Sequence, residues 1–487
     1  MKRVRGRKRV RNRRRGRVRK HVGFGASDRS LTATAGVAAL AELVDKLDMV
    51  GLLDSGIGSI KARDRGASAG ELLVGLAQSQ LLGADALVGL DRQRADLAAA
   101  ELSAVPVLAS TTAAGLARRF GEDQLAGLEN GVATLTAKAH RLLPAERRVG
   151  LEASVTLDMD STDVEVYGSR KQGVAYNYAG QRAGRPHLAI WAEAGLNVAA
   201  ELLAGNDDVR SRAAGLLARA LAGIPTPVLN AVARADRRPR VRADAGYFTG
   251  ELARAAVEAG CDFAIAAKRN KAMWRAYAHI AEGAWVDALD MPGAQVAVSD
   301  YAPAGWPAGS RTIVRRVRIE ADQVSSDSRS RRRRTIDPGQ LALVLGGAAT
   351  HAYAVSFIVT NIAITDDEDG PNVREVEAWF RRRTDIEERI REAKLGAALR
   401  HLPSGHAAVN KVWMWAALLA GNLSVLLQAL TGIDQHGRAH GARLRHELLC
   451  VPARLIRHGR SLTLRLPPGD QLLPTVLTRI RELDTAA

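Results

Sequence analysis

The sequence predicts an α/β protein with a mixed β-sheet core, a mainly β insertion within that core, a helical N-terminal domain and a helical C-terminal region. Three observations support this prediction. Residues 31–147 have apolar side chains at helical spacing, residues 154–267 alternate between strand-like and helical runs, and residues 267–370 turn irregular with short strand-like runs. The chain has 487 residues, and because domains usually have about 100–200 residues, several can be accommodated.

The positive charge is concentrated at the start of the chain. The sequence has 70 Lys and Arg against 52 Asp and Glu, a formal net charge of +18, and 13 of the basic residues lie within the first 20. We interpret residues 1–30 as a basic disordered arm that binds a polyanion, since each phosphate that is neutralised releases counterions. A solubilising tail is the alternative interpretation.

The composition predicts a cytoplasmic protein without a membrane partner. Two cysteines, Cys261 and Cys450, exclude a disulfide-rich secreted scaffold. The residues after the basic run, Gly23–Asp28, lack the apolar stretch of about 7–15 residues that a secretion signal needs. The most apolar window, Val412–Leu430, is interrupted by polar and glycine residues and is therefore predicted to be a buried core helix.

Residues 31–150 are predicted to form a helical DNA-binding domain. Apolar residues at helical spacing occupy Val37–Val44 and Glu71–Ala77, and Ser68 with Glu71 forms a capping-box signature. Two further helices are predicted over Leu116–Leu128 and Asn130–Leu143. A helical domain beside a basic arm suits DNA recognition, although a helical bundle with no DNA role fits the pattern equally.

The order of elements after residue 151 is that of a ribonuclease-H-like core. A strand over Ser154–Asp160 precedes a hairpin and a helix, and the sequence then predicts strand, helix and strand, which gives the order β-β-β-α-β-α-β. The hairpin is His187–Glu193 with Asn197–Leu203, and the later elements are Asp207–Ala222, Arg240–Asp244, Thr249–Ala259 and Asp262–Ala267. We assign the core to residues 151–270 and 371–403, the β-rich insertion to residues 271–370, and the C-terminal helical region to residues 404–487.

Three acidic residues lie where this core would bring carboxylates together. Asp160 ends the first strand, Asp244 ends the fourth, and Glu387 lies on a late helix. Carboxylate oxygens suit hard cations such as Mg²⁺. Two such ions about 3.5–4 Å apart stabilise both the attacking and the leaving oxygen of a phosphoryl displacement. Acids brought together in this way would suit metal-dependent phosphoryl transfer.

The predicted helix around Glu387 has a distinctive face. Phe380, Arg383, Glu387 and Lys394 are 3, 4 and 7 residues apart, which places them within about 60° of arc on one helix. The face offers an aromatic ring, a metal-binding carboxylate and two cations for phosphate. A solvated charged helix with i,i+4 ion pairs is the alternative.

This run resembles the Tyr-x₂-Arg-x₃-Glu-x₆-Lys signature of DDE transposases of bacterial insertion sequences, with Phe380 in the place of Tyr. Leu157–Asp163, Ala175–Tyr178 and Arg242–Phe248 resemble the catalytic-acid blocks of the insertion-sequence-4-like superfamily, in particular its 1380 group. The resemblance extends over about Leu151–Leu466.

The resemblance implies that Asp160, Asp244 and Glu387 are catalytic and hold two Mg²⁺ ions, for which Mn²⁺ can substitute. Asp158 is an alternative to Asp160 because both lie on the same strand face, and Asp160 is preferred because Asp-x-Thr is the usual block of the family. The resemblance further implies that Arg383, Lys394 and Phe380 contact DNA. Phe380 lacks the tyrosine hydroxyl but can still stack or pack.

The resemblance also implies a cut-and-paste DNA transposase that acts on the terminal inverted repeats of its element and on target DNA. A homodimeric synaptic complex, a bacterial nucleoid-associated location and a hairpin intermediate with a flipped base are expected. The insertion offers four aromatic residues for such a base: Trp274, Trp285, Tyr301 and Trp306. Two alternatives remain, a ribonuclease-H-like DNA nuclease without strand transfer and an inactive DNA-binding derivative.

Overall fold

The computed structural model describes residues 24–63, 65–327, 329–365 and 372–484. Most of the predicted basic arm therefore lies outside the described residues. The helices are α1 (Val37–Leu47), α2 (Met49–Ile57), α3 (Ala69–Leu81), α4 (Gly89–Ala95), α5 (Leu97–Leu102), α6 (Ser110–Ala117), α7 (Glu122–Leu142), α8 (Ala145–Glu152), α9 (Arg210–Ala222), α10 (Thr226–Arg234), α11 (Gly250–Glu258), α12 (Lys271–Ala278), α13 (Pro338–Leu345), α14 (Val373–Arg381), α15 (Thr384–Leu395), α16 (Ala407–Thr431), α17 (Gly441–Leu444) and α18 (Leu472–Glu482).

The strands are β1 (Leu31–Thr32), β2 (Thr156–Ser161), β3 (Val164–Glu165), β4 (Ala175–Tyr176), β5 (Arg182–Trp191), β6 (Leu196–Ala204), β7 (Arg240–Ala243), β8 (Asp262–Ala266), β9 (Val286–Asp287), β10 (Ala294–Ser299), β11 (Arg311–Glu320), β12 (His351–Thr360), β13 (Ala453–His458) and β14 (Ser461–Arg465).

The mixed α/β architecture is confirmed by the central sheet. Strands β6, β5 and β2 are antiparallel neighbours, and β7 and β8 continue the sheet parallel to β2. Helix α9 packs against β2, β5 and β6. Helix α10 was not among the predicted elements; proline at its N-terminal start is compatible with a helix because that position needs no N–H donor.

The strands of the predicted insertion extend this same sheet. Strand β12 pairs antiparallel with β8, and β11, β10 and β9 follow in order. This pairing covers the edge that β8 would otherwise expose, and unpaired edges invite association with other chains. The insertion also contains helices α12 and α13.

The N-terminal part is mainly helical, as predicted, but its elements differ in detail from the prediction, beginning with the short strand β1. The capping box at the start of α3 is present, since Ser68 and Glu71 each accept a hydrogen bond from the backbone N–H of the other. The two helices predicted over residues 116–143 are wrong, because residues 122–142 form the single helix α7. Gly127 and Gly131 lie within α7; a Cβ added to Gly127 would collide with the Gly56 carbonyl of α2, and one added to Gly131 would lie 3.1 Å from the α2 backbone at Leu52 and Leu53. These glycines are kept for close helix packing, which outweighs their poor helix propensity.

The C-terminal region is not wholly helical, which corrects the prediction. Strands β13 and β14 form a hairpin, and β13 pairs with β1 from the start of the described chain. Helix α16 is long and apolar enough to cross a membrane by length and composition, but 94% of its most apolar window is buried within the protein. Asn422 on α16 exchanges hydrogen bonds with Asn197 on β6, so the polar residues of this helix find partners inside the core.

Candidate active site

Two parallel strands bring the first two predicted acids together. In the register of β2 and β7, Met159 lies opposite Ala243. Asp160 and Asp244 are the next residue of each chain segment, so they lie side by side at the carboxyl ends of adjacent strands. Buried residues before each acid fix this register, since a shift of one residue would turn each acid to the other face.

Arg383 lies between these two acids. Its Nη2 donates to Asp160 Oδ2 at 3.2 Å and lies 3.9 Å from Asp244 Oδ2. The arginine side chain is 10% exposed, and its Nε has no hydrogen-bond partner among the described residues. The sequence predicts a DNA contact for Arg383, whereas in this structure the guanidinium balances the charge of the two aspartates.

Glu387 completes the group of acids electrostatically. It lies in the first turn of α15 and is exposed. Burial raises the pKa of Asp160 to about 6; Arg383 opposes this shift, whereas the charges of Asp244 and Glu387 add to it. The charges of the other two predicted acids therefore act on Asp160, although Glu387 forms no direct contact with the aspartates within the described chain.

The single helical face predicted from Phe380 to Lys394 is wrong. Helix α14 ends at Arg381 and α15 begins at Thr384. The side chain of Arg242 donates to the Trp379 carbonyl, and the Arg383 N–H instead bonds to the Phe380 carbonyl three residues before it. Phe380 is consequently on α14, where it packs partly buried against an apolar cluster that includes Ile313 and Ile358.

Lys394 holds the chain that leaves β2. Its Nζ donates to Thr162 Oγ1 at 2.5 Å and to the Asp163 carbonyl at 3.0 Å. Burial lowers the pKa of Lys394, and Asp163 opposes that shift. The Asp163 carboxylate accepts hydrogen bonds from Asn177 and Arg185, so the Ala175–Tyr178 segment is attached to the first acid block.

Asp158 is committed to a buried ion pair. Its carboxylate accepts from Arg242 Nε at 2.6 Å and Nη2 at 2.8 Å, and the two side chains are 1% and 3% exposed. Burial raises the pKa of Asp158, with Arg242 opposing. This environment leaves Asp160, rather than Asp158, beside Asp244.

Tyr247 borders the acids and was not singled out from the sequence. It ends the 3₁₀ turn Ala245–Tyr247 that follows Asp244, and it is 1% exposed. Burial raises the pKa of Tyr247 well above its usual value, and the charges of Asp160 and Asp244 add to this. Tyr247 stands within the second acid block, but nothing in its spacing distinguishes it from a core aromatic.

The four aromatic candidates of the insertion have different surroundings. Trp274 packs edge-on against Phe357, and Trp285 is covered by the Arg316 guanidinium at 4.1 Å. Trp306 is partly exposed and contacts Phe248, which belongs to the second acid block, with ring centroids 5.1 Å apart. Tyr301 is partly buried against the main core.

The donor set suits a divalent cation, although its side chains are not closed around one. In the described part of the chain, no three His, Cys, Asp or Glu side chains are close enough to hold a metal ion together. However, carboxylate oxygens of Asp160 and Asp244 converge on Arg383 Nη2, and the charge of Glu387 acts on Asp160. Oxygen donors of this kind fit Mg²⁺ or Mn²⁺ by their chemistry.

Comparison with known proteins gives one family. The model of the family described as "Transposase DDE domain group 1" matches residues 16–328 and 346–485. No curated protein matches the sequence significantly. Among solved structures, the chain is similar to one described as "Cryo-EM structure of piggyBac transposase synaptic complex with hairpin DNA", with 10% identity, coverage of 85% of this chain and 79% of that chain, and a TM-score of 0.37.

Proposed function

The chain belongs to the transposase DDE domain group 1 family, and from this we propose that it is a metal-dependent transposase that cuts and joins the DNA ends of an insertion sequence. One observation carries the proposal. The carboxylates of Asp160 and Asp244, at the ends of two adjacent parallel strands, converge on Arg383 Nη2. The charge of Glu387 helps to raise the pKa of Asp160.

Asp160, Asp244 and Glu387 are the proposed catalytic acids, and they would hold two Mg²⁺ ions, for which Mn²⁺ can substitute. Such ions supply Lewis-acid chemistry at a scissile phosphate and stabilise both oxygens of an in-line displacement. The role of the three side chains is to offer oxygen donors at one place. Glu387 lies three residues after the start of α15 and does not contact the aspartates, so the proposal requires α15 to move its carboxylate toward them when a cation binds.

Arg383 has a proposed double role. Without DNA it neutralises the two aspartates. Its planar guanidinium also suits a phosphate, which it can bind through two parallel hydrogen bonds. We propose that Arg383 turns from the aspartates to the DNA backbone when a cation and an element end bind.

The other two predicted DNA contacts are retained with different support. Lys394 holds the segment after β2 through its hydrogen bonds to Thr162 and to the Asp163 carbonyl. Its proposed contact is a DNA phosphate next to the one that is cut. Phe380 packs against an apolar cluster, and this favours a role in anchoring α14 rather than in stacking on a DNA base.

The finer assignments belong to the same proposal. They are membership of the insertion-sequence-4-like superfamily and its 1380 group, a cut-and-paste reaction through a hairpin intermediate, and a homodimer that pairs two element ends in the bacterial cytoplasm. Trp306 is the proposed site for a flipped base because it contacts the second acid block through Phe248. The domain limits given from the sequence, including a DNA-binding role for residues 31–150, are proposed on the same basis.

A strand-transfer assay tests this proposal. The purified protein is incubated with a labelled DNA fragment that ends in the inverted repeat of the element, a supercoiled plasmid and Mg²⁺. We expect the label to become covalently joined to the plasmid. Cleavage without joining would instead indicate a nuclease, and end binding without cleavage would indicate an inactive derivative; either result would overturn the proposed reaction.

A further inference from the structure

Two tyrosines are exposed to solvent on the hairpin that joins β4 to β5. Tyr176 is 68% exposed and Tyr178 is 95% exposed. Tyrosine rings usually contribute most of their surface to a protein core or to an interface with a partner. Two such rings, two residues apart and both left in solvent, therefore indicate a contact surface for a partner.

The turn that carries these rings is fixed by hydrogen bonds. The Asn177 N–H donates to the Gln181 carbonyl at 2.8 Å, and Asn177 Oδ1 accepts from the N–H groups of Ala179 and Gln181. Gly180 takes a φ of +76°, which lets the chain reverse within this short loop. We call residues 176–182 the tyrosine turn. Because its backbone is already ordered, a ring that it carries loses little freedom on binding.

Tyr176 lies on the same face of the sheet as Asp160. Asp160 is opposite Leu188 on β5, and Tyr176 is opposite Arg182, which lies six residues away along the same strand. Residues an even number apart on a strand point to the same face. Six residues at about 3.3 Å each correspond to about 20 Å, which is about six steps of 3.4 Å along DNA.

The tyrosine turn is also attached to the first acid block. Asn177 Nδ2 donates to Asp163 Oδ2 at 2.8 Å, and Lys394 Nζ donates to the Asp163 carbonyl at 3.0 Å. The turn therefore comes next to the residue for which a DNA phosphate contact is proposed. A duplex that is cut at the acids and held by Lys394 has the tyrosine turn within reach of its flanking part.

The chain around the turn carries positive charge. Residues 166–182 include three basic residues and no acidic one. Arg182 donates to the carbonyls of Gly168 and Lys171 at 2.8 and 3.1 Å, and it thereby fixes the loop on which Arg170 is exposed. Basic side chains beside aromatic rings are typical of surfaces that follow a nucleic-acid backbone.

A third exposed tyrosine has different surroundings. Tyr167 is 89% exposed, and its hydroxyl donates to Glu165 Oε2 at 3.2 Å. Glu165 is opposite Ala183 on β5, which is five residues from Leu188 and therefore belongs to the face away from Asp160. Since its hydroxyl is held by a carboxylate on that other face, Tyr167 is unsuited to a DNA phosphate and serves as a matched control.

We propose that the tyrosine turn binds duplex DNA about six base pairs from the scissile phosphate, with the hydroxyls of Tyr176 and Tyr178 donating to phosphate oxygens and their rings packing on the sugars. This inference rests on the proposed function, because it requires DNA at the acids. It adds a contact to the flanking duplex that is separate from the proposed flipped-base site at Trp306.

Photo-crosslinking tests the position of this contact. Tyr178 is replaced by p-benzoylphenylalanine in the full chain, which is irradiated with a labelled DNA fragment that ends in the inverted repeat of the element. We expect a protein–DNA crosslink centred about six base pairs from the cut. The same replacement at Tyr167 is expected to give no crosslink. A crosslink only at the cut, or an equal yield from position 167, would overturn the proposal.

The double change Tyr176→Ala with Tyr178→Ala tests the strength of the contact. We expect affinity for the DNA fragment to fall about 10-fold, with an unchanged melting temperature because both side chains are exposed. Tyr167→Ala should bind as the unchanged protein does. Size-exclusion chromatography without DNA is run in parallel; a change of oligomeric state in the double variant would show that the tyrosines contact a second copy of the chain, which would overturn the proposal.

The unchanged protein separates the two ways of failing. If it cuts and joins the labelled end while the double variant binds DNA equally well, the tyrosine turn is not a DNA contact and the proposed function stands. If the unchanged protein neither binds nor cuts the labelled end, the proposed function fails, and the inference that rests on it fails as well.

Discussion

The change Glu387→Gln is expected to reduce DNA strand cleavage by at least about 10³-fold while specific binding to element ends remains. Glutamine keeps the size of the side chain but removes the charge that a divalent cation requires. The Glu387 side chain is exposed, and no hydrogen bond or ion pair joins it to another side chain in the described part of the protein, so its replacement should not affect folding. The measurement is Mg²⁺-dependent cleavage of a labelled element end, with end binding followed by electrophoretic mobility.

The neighbouring residue supplies the control for this prediction. Glu388 lies on the same helix and forms an ion pair with Arg391 at 3.3 Å. Partly exposed pairs of this kind contribute about 0–1 kcal/mol to stability, so Glu388→Gln should cleave almost as well as the unchanged protein. Persistent cleavage by Glu387→Gln in Mg²⁺, or an equal loss in Glu388→Gln, would show that the third acid has been assigned wrongly.

The change Asp158→Asn is expected to lower the free energy of unfolding by about 3–5 kcal/mol. The variant leaves the Arg242 guanidinium buried without its counter-charge, in a place where both side chains are almost fully buried. Arg242 also holds the Trp379 carbonyl at the end of α14, so the junction that presents Arg383 should loosen as well. Urea denaturation followed by tryptophan fluorescence measures the change.

An exposed pair provides the comparison for Asp158. Asp208 and Arg210 form an ion pair in which the side chains are 50% and 45% exposed, and Asp208→Asn should cost less than about 1 kcal/mol. If Asp158→Asn instead unfolds at the same urea concentration as the unchanged protein but fails to bind Mn²⁺, then Asp158 is a metal ligand and its structural role is refuted.

Local pattern was sufficient to place the first two acids. Strand alternation locates Asp160 at the end of β2 and Asp244 after β7, and parallel neighbours necessarily bring these ends together. The same alternation could not separate Asp158 from Asp160, since both share a face. Only burial and the pairing with Arg242, which is distant in sequence, distinguish them.

Other features depend on long-range contacts that periodicity does not record. The break between α14 and α15 follows from a hydrogen bond between Arg242 and the Trp379 carbonyl, so a continuous helical pattern around Glu387 concealed it. The extension of the sheet depends on β12 choosing the edge of β8. The contact between Tyr247 and His187 joins the turn after β7 to β5, and no spacing along the chain brings these two residues together.

Mapping the bound ion tests the central claim most directly, namely that Asp160, Asp244 and Glu387 form one divalent-cation site. Fe²⁺ in the place of Mg²⁺, with ascorbate and peroxide, cuts a polypeptide beside the bound ion. We predict fragments from cuts near residues 160, 244 and 387 that disappear with excess Mg²⁺. A different cluster lies near α17, where His440 contacts Glu392 at 3.2 Å; cuts centred on residue 440, with none near residues 160 and 244, would contradict the account.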